Sequence, residues 1–174
     1  MGNGKVPHFY FLMMTIEQHI LPLLESKFTE EGFEDCFLVE IVYKEAQNKL
    51  EVYIDADSGL SFDRCQKLSR YLEAFIDENN WLGEQYILEV SSPGISRPLS
   101  FIRQYKKNIG RKLEITLNDD SKYEGTLIAA NDDDVITLHF ITKRKEGKKN
   151  IKEEVNKELK LEDIKKSIVK ISFS

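Results

Sequence analysis

The sequence predicts an α+β protein in two parts. An α-β-β-α-β unit, with a three-stranded sheet and both helices on one face, precedes a small five-stranded β-barrel of the SH3 or Sm type. Three observations carry this expectation. Apolar spacing runs helix, strand, strand, helix, strand as far as Val90, and from Leu113 onward only short alternating segments occur. The stretch Pro93-Gly94-Ile95-Ser96-Arg97-Pro98 separates the two patterns. The charge balance also reverses there, with 17 acidic and 7 basic residues up to Pro93 and 13 acidic and 18 basic after it. The expected division is residues 1–13 as an N-terminal extension, 14–93 as the α/β domain, 94–100 as a rigid linker and 101–174 as the barrel.

Each element has its own signal. Thr15-Ile16-Glu17-Gln18 has the spacing of a capping box, and Ile16, Ile20, Leu23, Leu24 and Phe28 then share one helical face. Gly32 suits the position just past that helix, and Pro22 inside it removes a backbone hydrogen bond. Phe37, Val39, Ile41 and Tyr43 alternate with Leu38, Glu40, Val42 and Lys44 as a first strand. Leu50, Val52 and Ile54 alternate as its hairpin partner. Ser61 caps a second helix whose stripe is Phe62, Cys65, Leu68, Leu72, Phe75 and Ile76, ended by Asn79-Asn80. Tyr86, Leu88 and Val90 form a third strand, with Ile87 opposite. A helical crossover between the second and third strands makes them parallel.

In the second half, Leu113, Ile115 and Leu117 alternate, and Asn118 to Ser121 make a turn. Residues 123–130 follow, with Gly125 marking a sharp bend. A turn at Asn131 to Asp134 leads to a strand over 135–141 and then a charged loop. Leu159-Lys160-Leu161, a turn at 163–166 and a strand over 168–173 complete the expected barrel.

The length of 174 residues suits one ordinary domain or two small ones. A hydrophobic fraction of 41% with 32% charged residues excludes a disordered chain and a bundle of membrane spans. The apolar stretch over 6–14 is interrupted by Pro7 and His8 and has no small-residue cleavage pattern. It reads as a tail or an upstream-start extension rather than a signal peptide, which makes the cytoplasm the expected compartment. Cys36 and Cys65 read as two reduced core thiols.

Two features point to binding. Pro93 and Gly94 suit the central positions of a type II turn, and Pro98 biases Arg97 towards an extended conformation. The segment is therefore either a stiff linker or a binding loop presenting Ser91, Ser92, Pro93, Gly94 and Arg97. Between Gly94 and Leu113 stand six basic residues and no acid: Arg97, Arg103, Lys106, Lys107, Arg111 and Lys112, interleaved with Phe101 and Tyr105. Such a mixture holds phosphates and stacks on bases, or else forms a solvated face over two core aromatics. The run Lys143-Arg144-Lys145-Glu146-Gly147-Lys148-Lys149 reads as the tip of a long hairpin, where lysines commonly serve solubility.

Catalysis finds no positive support. Asp55-Ala56-Asp57-Ser58-Gly59 fails as a calcium loop because Gly59 takes a ligand position and Gln66 stands where a bidentate glutamate belongs. Asp132-Asp133-Asp134 is a turn, and the histidines are scattered. No phosphate loop, dinucleotide fingerprint, nucleophile elbow or zinc-protease helix is present. The chain is read as no enzyme, with no cofactor and no metal.

The segment Tyr86-Ile87-Leu88-Glu89-Val90-Ser91-Ser92-Pro93-Gly94-Ile95-Ser96-Arg97-Pro98-Leu99 resembles the signature of the bacterial ribosome maturation factor RimP family. Leu50-Glu51-Val52-Tyr53-Ile54-Asp55 is similar to that family's second strand, and Cys65 with Ser69-Arg70 to its second helix. Ile109-Gly110-Arg111-Lys112 resembles the start of its C-terminal barrel. Ser96 stands where an aspartate is usual, and residues 141–158 exceed the typical loop. The resemblance implies a cytoplasmic, non-enzymatic, monomeric factor for small-subunit maturation. Its expected partners are the immature small ribosomal subunit, the small-subunit ribosomal RNA and the twelfth small-subunit ribosomal protein. An acidic N-terminal half suits a basic ribosomal protein, and a basic junction and barrel suit RNA phosphates. The rival reading is a free-standing Sm-like RNA-binding module acting on other RNAs, which a net charge of −5 disfavours. A hydrolase built on Ser91 and Ser92, with no histidine near in sequence, ranks last.

Overall fold

The protein is described by a computed structural model covering residues 14–171. The expected N-terminal extension and the last residues of the expected final strand lie outside this range. The chain divides between Pro93 and Gly94 into two compact units, each with its own core.

In the first unit the order is α1 (Ile16–Lys27), β1 (Cys36–Lys44), β2 (Lys49–Ala56), α2 (Phe62–Asn79) and β3 (Ile87–Ser91). The capping box forms: the Thr15 N–H donates to Gln18 Oε1 at 2.9 Å, and Thr15 Oγ1 accepts from the Gln18 N–H at 3.3 Å. Pro22 is tolerated inside α1 on its exposed side. The helix stops at Phe28, so Gly32, with φ 88°, serves a later turn and not the position just past the end.

The sheet order is β1-β2-β3, with β1–β2 antiparallel and β2–β3 parallel, as the crossover argument requires. Leu50, Val52, Ile54 and Ala56 of β2 are fully buried beneath Ile20 and Leu24 of α1 and Leu68, Leu72 and Ile76 of α2. Two expectations about faces change. A register shift between Leu38 and Glu40 puts Cys36 and Leu38 before it, and Ile41 and Tyr43 after it, on the core. The extra residue of a bulge reverses the alternation, which an unbroken two-residue period cannot show. Phe62, placed in the α2 stripe, is 83% exposed at the first helical position after the Ser61 cap, while Leu68, Leu72 and Ile76 further along the helix are buried.

The second unit begins with an element the periodicity did not reveal, the six-residue helix α3 (Ile102–Lys107). Its first turn is closed by Gln104, whose Oε1 accepts from the Ser100 and Phe101 N–H groups at 2.8 and 3.0 Å. There follow β4 (Lys112–Leu117), β5 (Lys122–Ala130), β6 (Val135–Glu146), β7 (Lys149–Lys160) and β8 (Ile164–Val169). They form one antiparallel sheet in the order β7-β6-β5-β4-β8.

The strand pairing among the described residues forms no closed sheet, so the expected closed barrel is not seen. β7 pairs with β6 along its whole length, and a short helical turn at Leu161–Asp163 carries β8 to the far edge, beside β4. Leu159 of β7 and Val169 of β8 nevertheless share one buried cluster with Tyr105, Leu113, Leu127 and Ile136. The expected charged loop is paired strand out to Glu146 and Lys149, and β8 starts four residues before the expected position. Both shifts arise because hydrogen bonding extends strands through polar sequence that has no hydrophobic alternation.

Candidate protein and nucleic-acid contact surfaces

The first unit sorts its carboxylates into structural and surface groups. Glu51, 5% exposed, is held by the Lys44 ammonium and the Tyr53 hydroxyl, with Lys49 at 3.4 Å. Hydrogen bonds from Lys44 and Tyr53 hold its pKa down at about 2, while the same contact with Glu51 pushes Tyr53 up to about 12. Asp35 accepts from Arg64 and from the Ser58 hydroxyl, and from the Ser58 N–H at 2.8 Å, which together hold it well below the usual carboxylate range. This ties β1 to the turn before α2, and Arg64 Nη2 also lies 2.9 Å from Cys36 Sγ. Most remaining acids of this unit, among them Glu73, Asp77, Glu78 and Glu84 on α2 and the loop after it, are exposed. They supply the negative surface.

Ser91 closes β3 opposite Tyr53. The backbone N–H of Ser92 donates to Cys65, whose pKa is pushed up mainly by burial, so the strand end is pinned to α2. This gives Cys65 a role beyond core filling; it is half-buried, while Cys36 is buried. Gly94 adopts φ 68°, the left-handed value that the third position of a type II turn requires. Ser92 and Gly94 are exposed, and Ser91, Pro93 and Arg97 are half-buried. Among the described residues of the first unit the one histidine, His19, stacks on Trp81 at 4.4 Å.

In the second unit, Arg103, Lys106 and Lys107 fall three and four residues apart and so share one face of α3. Lys106 pairs with Asp132. Tyr105 is 1% exposed in the core, which removes it as a stacking partner, whereas Phe101 is 42% exposed. Of the two readings left open for these aromatics, Tyr105 takes the core, and Phe101 keeps part of its ring exposed.

Arg111 and Lys112 open β4 beside an open cleft of about 430 Å³ lined also by Ile95, Thr126, Lys170 and Ile171. Lys112 pairs with Glu124 at 2.6 Å, and Lys170 with Glu114 at 3.1 Å. The Glu114 contact first, and Glu124 after it, raises the pKa of Lys170. Arg111 is exposed and makes no ion pair among the described residues. Lys170 and Ile95 escaped the sequence reading, because only the pairing of β8 with β4 brings Lys170 beside Lys112.

A family profile described as the RimP N-terminal domain matches residues 23–96. The ribosome maturation factor RimP of Cytophaga hutchinsonii is 36% identical over 169 residues, spanning 92% of this chain and 96% of its own. That of Christiangramia forsetii is 37% identical over 154 residues, spanning 85% and 96% respectively.

Proposed function

Because the chain belongs to the RimP family of ribosome maturation factors, we propose that it binds the immature small ribosomal subunit as a cytoplasmic monomer and assists maturation without making or breaking a bond. The two units act as two domains. The acidic first one holds a basic small-subunit ribosomal protein, the twelfth by family resemblance, and the basic second one lies against small-subunit ribosomal RNA. A factor that binds an intermediate more tightly than the mature subunit shifts the population along the assembly path.

The observation that carries the binding mode is the segregation of charge between two separately cored units. In the first unit, ion pairs and hydrogen bonds absorb Asp35 and Glu51, and the exposed carboxylates remain. In the second, Arg103, Lys106 and Lys107 stand on one helix face, and Arg111, exposed just before β4, makes no ion pair among the described residues. Lysine and arginine contacts to phosphates position a protein without reading bases.

Sedimentation of a lysate tests the function: the protein co-migrates with immature small subunits, and recovery only in the free fraction refutes the proposal. The logarithm of affinity against that of salt concentration falls with a slope of several units. Arg97→Ala with Arg103→Ala weakens association on the order of tenfold at low salt. Undiminished association would remove both arginines as contacts.

A further inference from the structure

The β6–β7 hairpin runs beyond the core of its own sheet. Phe140, paired with the half-buried Val155, is the last residue of β6 packed on the buried cluster. Six further pairs, Ile141 with Glu154 out to Glu146 with Lys149, continue as a two-stranded ribbon about 20 Å long. A two-stranded hairpin by itself is marginal in water. This one continues a larger sheet, and its register has no shift along its length.

That unbroken register sorts the ribbon into two chemically different faces. Continuing the side of Phe140 and Val155 are Arg144, Glu146, Lys149 and Glu153, two cations and two anions, with Arg144 and Glu146 3.9 Å apart. Continuing the opposite side are Lys143, Lys145, Asn150 and Lys152, all exposed, with Glu154 as the one carboxylate, at the base. Lys143 sits directly across from Lys152. Like charges directly opposed on one face destabilise a strand pair. Four lysines elsewhere in this unit are paired, Lys106 with Asp132, Lys112 with Glu124, Lys165 with Asp120 and Lys170 with Glu114. Lys143, Lys145 and Lys152 make no ion pair among the described residues. Solubility calls for charge, but not for one balanced face and one face of unpaired lysines set against each other.

We propose that this lysine face is a second RNA-contacting surface, laid along backbone phosphates of the immature small subunit's ribosomal RNA. The inference rests on the ribosomal reading above and adds a site to it. Lys143 and Lys145 stand about 7 Å apart along the strand, and Lys143 and Lys152 about 5 Å apart across it. That pattern meets neighbouring phosphates of one strand, and Asn150 adds a neutral donor. A narrow two-stranded ribbon lies against the wide, shallow minor groove of A-form RNA or a single-stranded loop.

The test uses the full-length chain and immature small subunits. Lys143→Gln, Lys145→Gln and Lys152→Gln together reduce the salt slope by about two units and weaken binding at 0.1 M salt on the order of 10- to 100-fold. Arg144→Gln with Lys149→Gln on the balanced face leaves the slope unchanged. A photo-cross-linking residue at Asn150 attaches to ribosomal RNA. The triple variant melts no lower than the parent, since it removes the Lys143–Lys152 repulsion, so its weaker binding is no consequence of unfolding. A triple variant with the parental slope, or a cross-link to a ribosomal protein, overturns the inference while leaving the proposed function in place. Failure of the unmodified chain to bind subunits overturns both.

Discussion

Gly125→Ala is expected to destabilise the second unit although alanine suits a strand better than glycine. A Cβ built at Gly125 lies 2.6 Å from the carbonyl oxygen of His139 and 3.2 Å from Phe140 Cβ. The nearest atom is backbone, so relief requires β5 and β6 to part where they bend together. Overpacking of this kind costs about 1–3 kcal/mol, offset by roughly 0.4–1 kcal/mol from the reduced freedom of the unfolded chain. The net loss is about 1–2 kcal/mol, which for a unit of this size lowers its melting temperature by roughly 4–16 °C. Far-UV circular dichroism follows both units. The single tryptophan, Trp81, lies in the first and serves as an internal reference. A midpoint for Gly125→Ala equal to or above the parent's would refute the claim that close approach, rather than chance, holds glycine there.

Two further outcomes follow from the first unit. Asp35 and Glu51 both have pKa values lowered in the folded state, so their contribution is complete above the unfolded carboxylate range, about pH 4. It is lost as pH falls through the folded values, and acid denaturation of Asp35→Asn is correspondingly shallower than the parent's between about pH 4.5 and 2; parallel profiles would contradict the assignment. At neutral pH, Asp35→Asn costs about 1–3 kcal/mol, since it strips the partly buried Arg64 of its charged partner. Asn48 adopts φ 45°; its Nδ2 donates to the Leu82 and Gln85 carbonyls at 2.8 and 2.6 Å, and its Oδ1 accepts from the Tyr43 hydroxyl at 2.8 Å. Asn48→Gly loses those bonds and Asn48→Ala also strains the backbone, so urea denaturation places alanine about 1 kcal/mol below glycine. Equal stabilities would show that the left-handed conformation is relaxed away.

The site was less legible than the fold. Cations at 97–112 could be counted in the sequence, but their availability could not. Tyr105 and Phe101 look alike in composition, yet one is buried and the other exposed. Asn48 sat in an undistinguished polar connection, and its partners at 82 and 85 are more than thirty residues away. Lysines at 143 to 152 resembled any solubilising tip until their register placed Lys143 opposite Lys152.

By itself the sequence determined what local chemistry dictates. The Thr15 and Ser61 caps, the α-β-β-α-β order, the parallel β2–β3 pair, the glycine at 94 and the reversal of charge at Pro93 all depend on neighbours in the chain or on its chirality. Tertiary structure decided what depends on pairing between distant strands. The bulge near Val39 reverses which side of β1 faces the core, and β8 joins β4 rather than closing on β7. The lysines of β6 and β7 share a face only because twelve residue pairs run without a slip. Hydrogen-bond register carries no periodic mark in a polar segment, and it sets the direction of every side chain beyond the core.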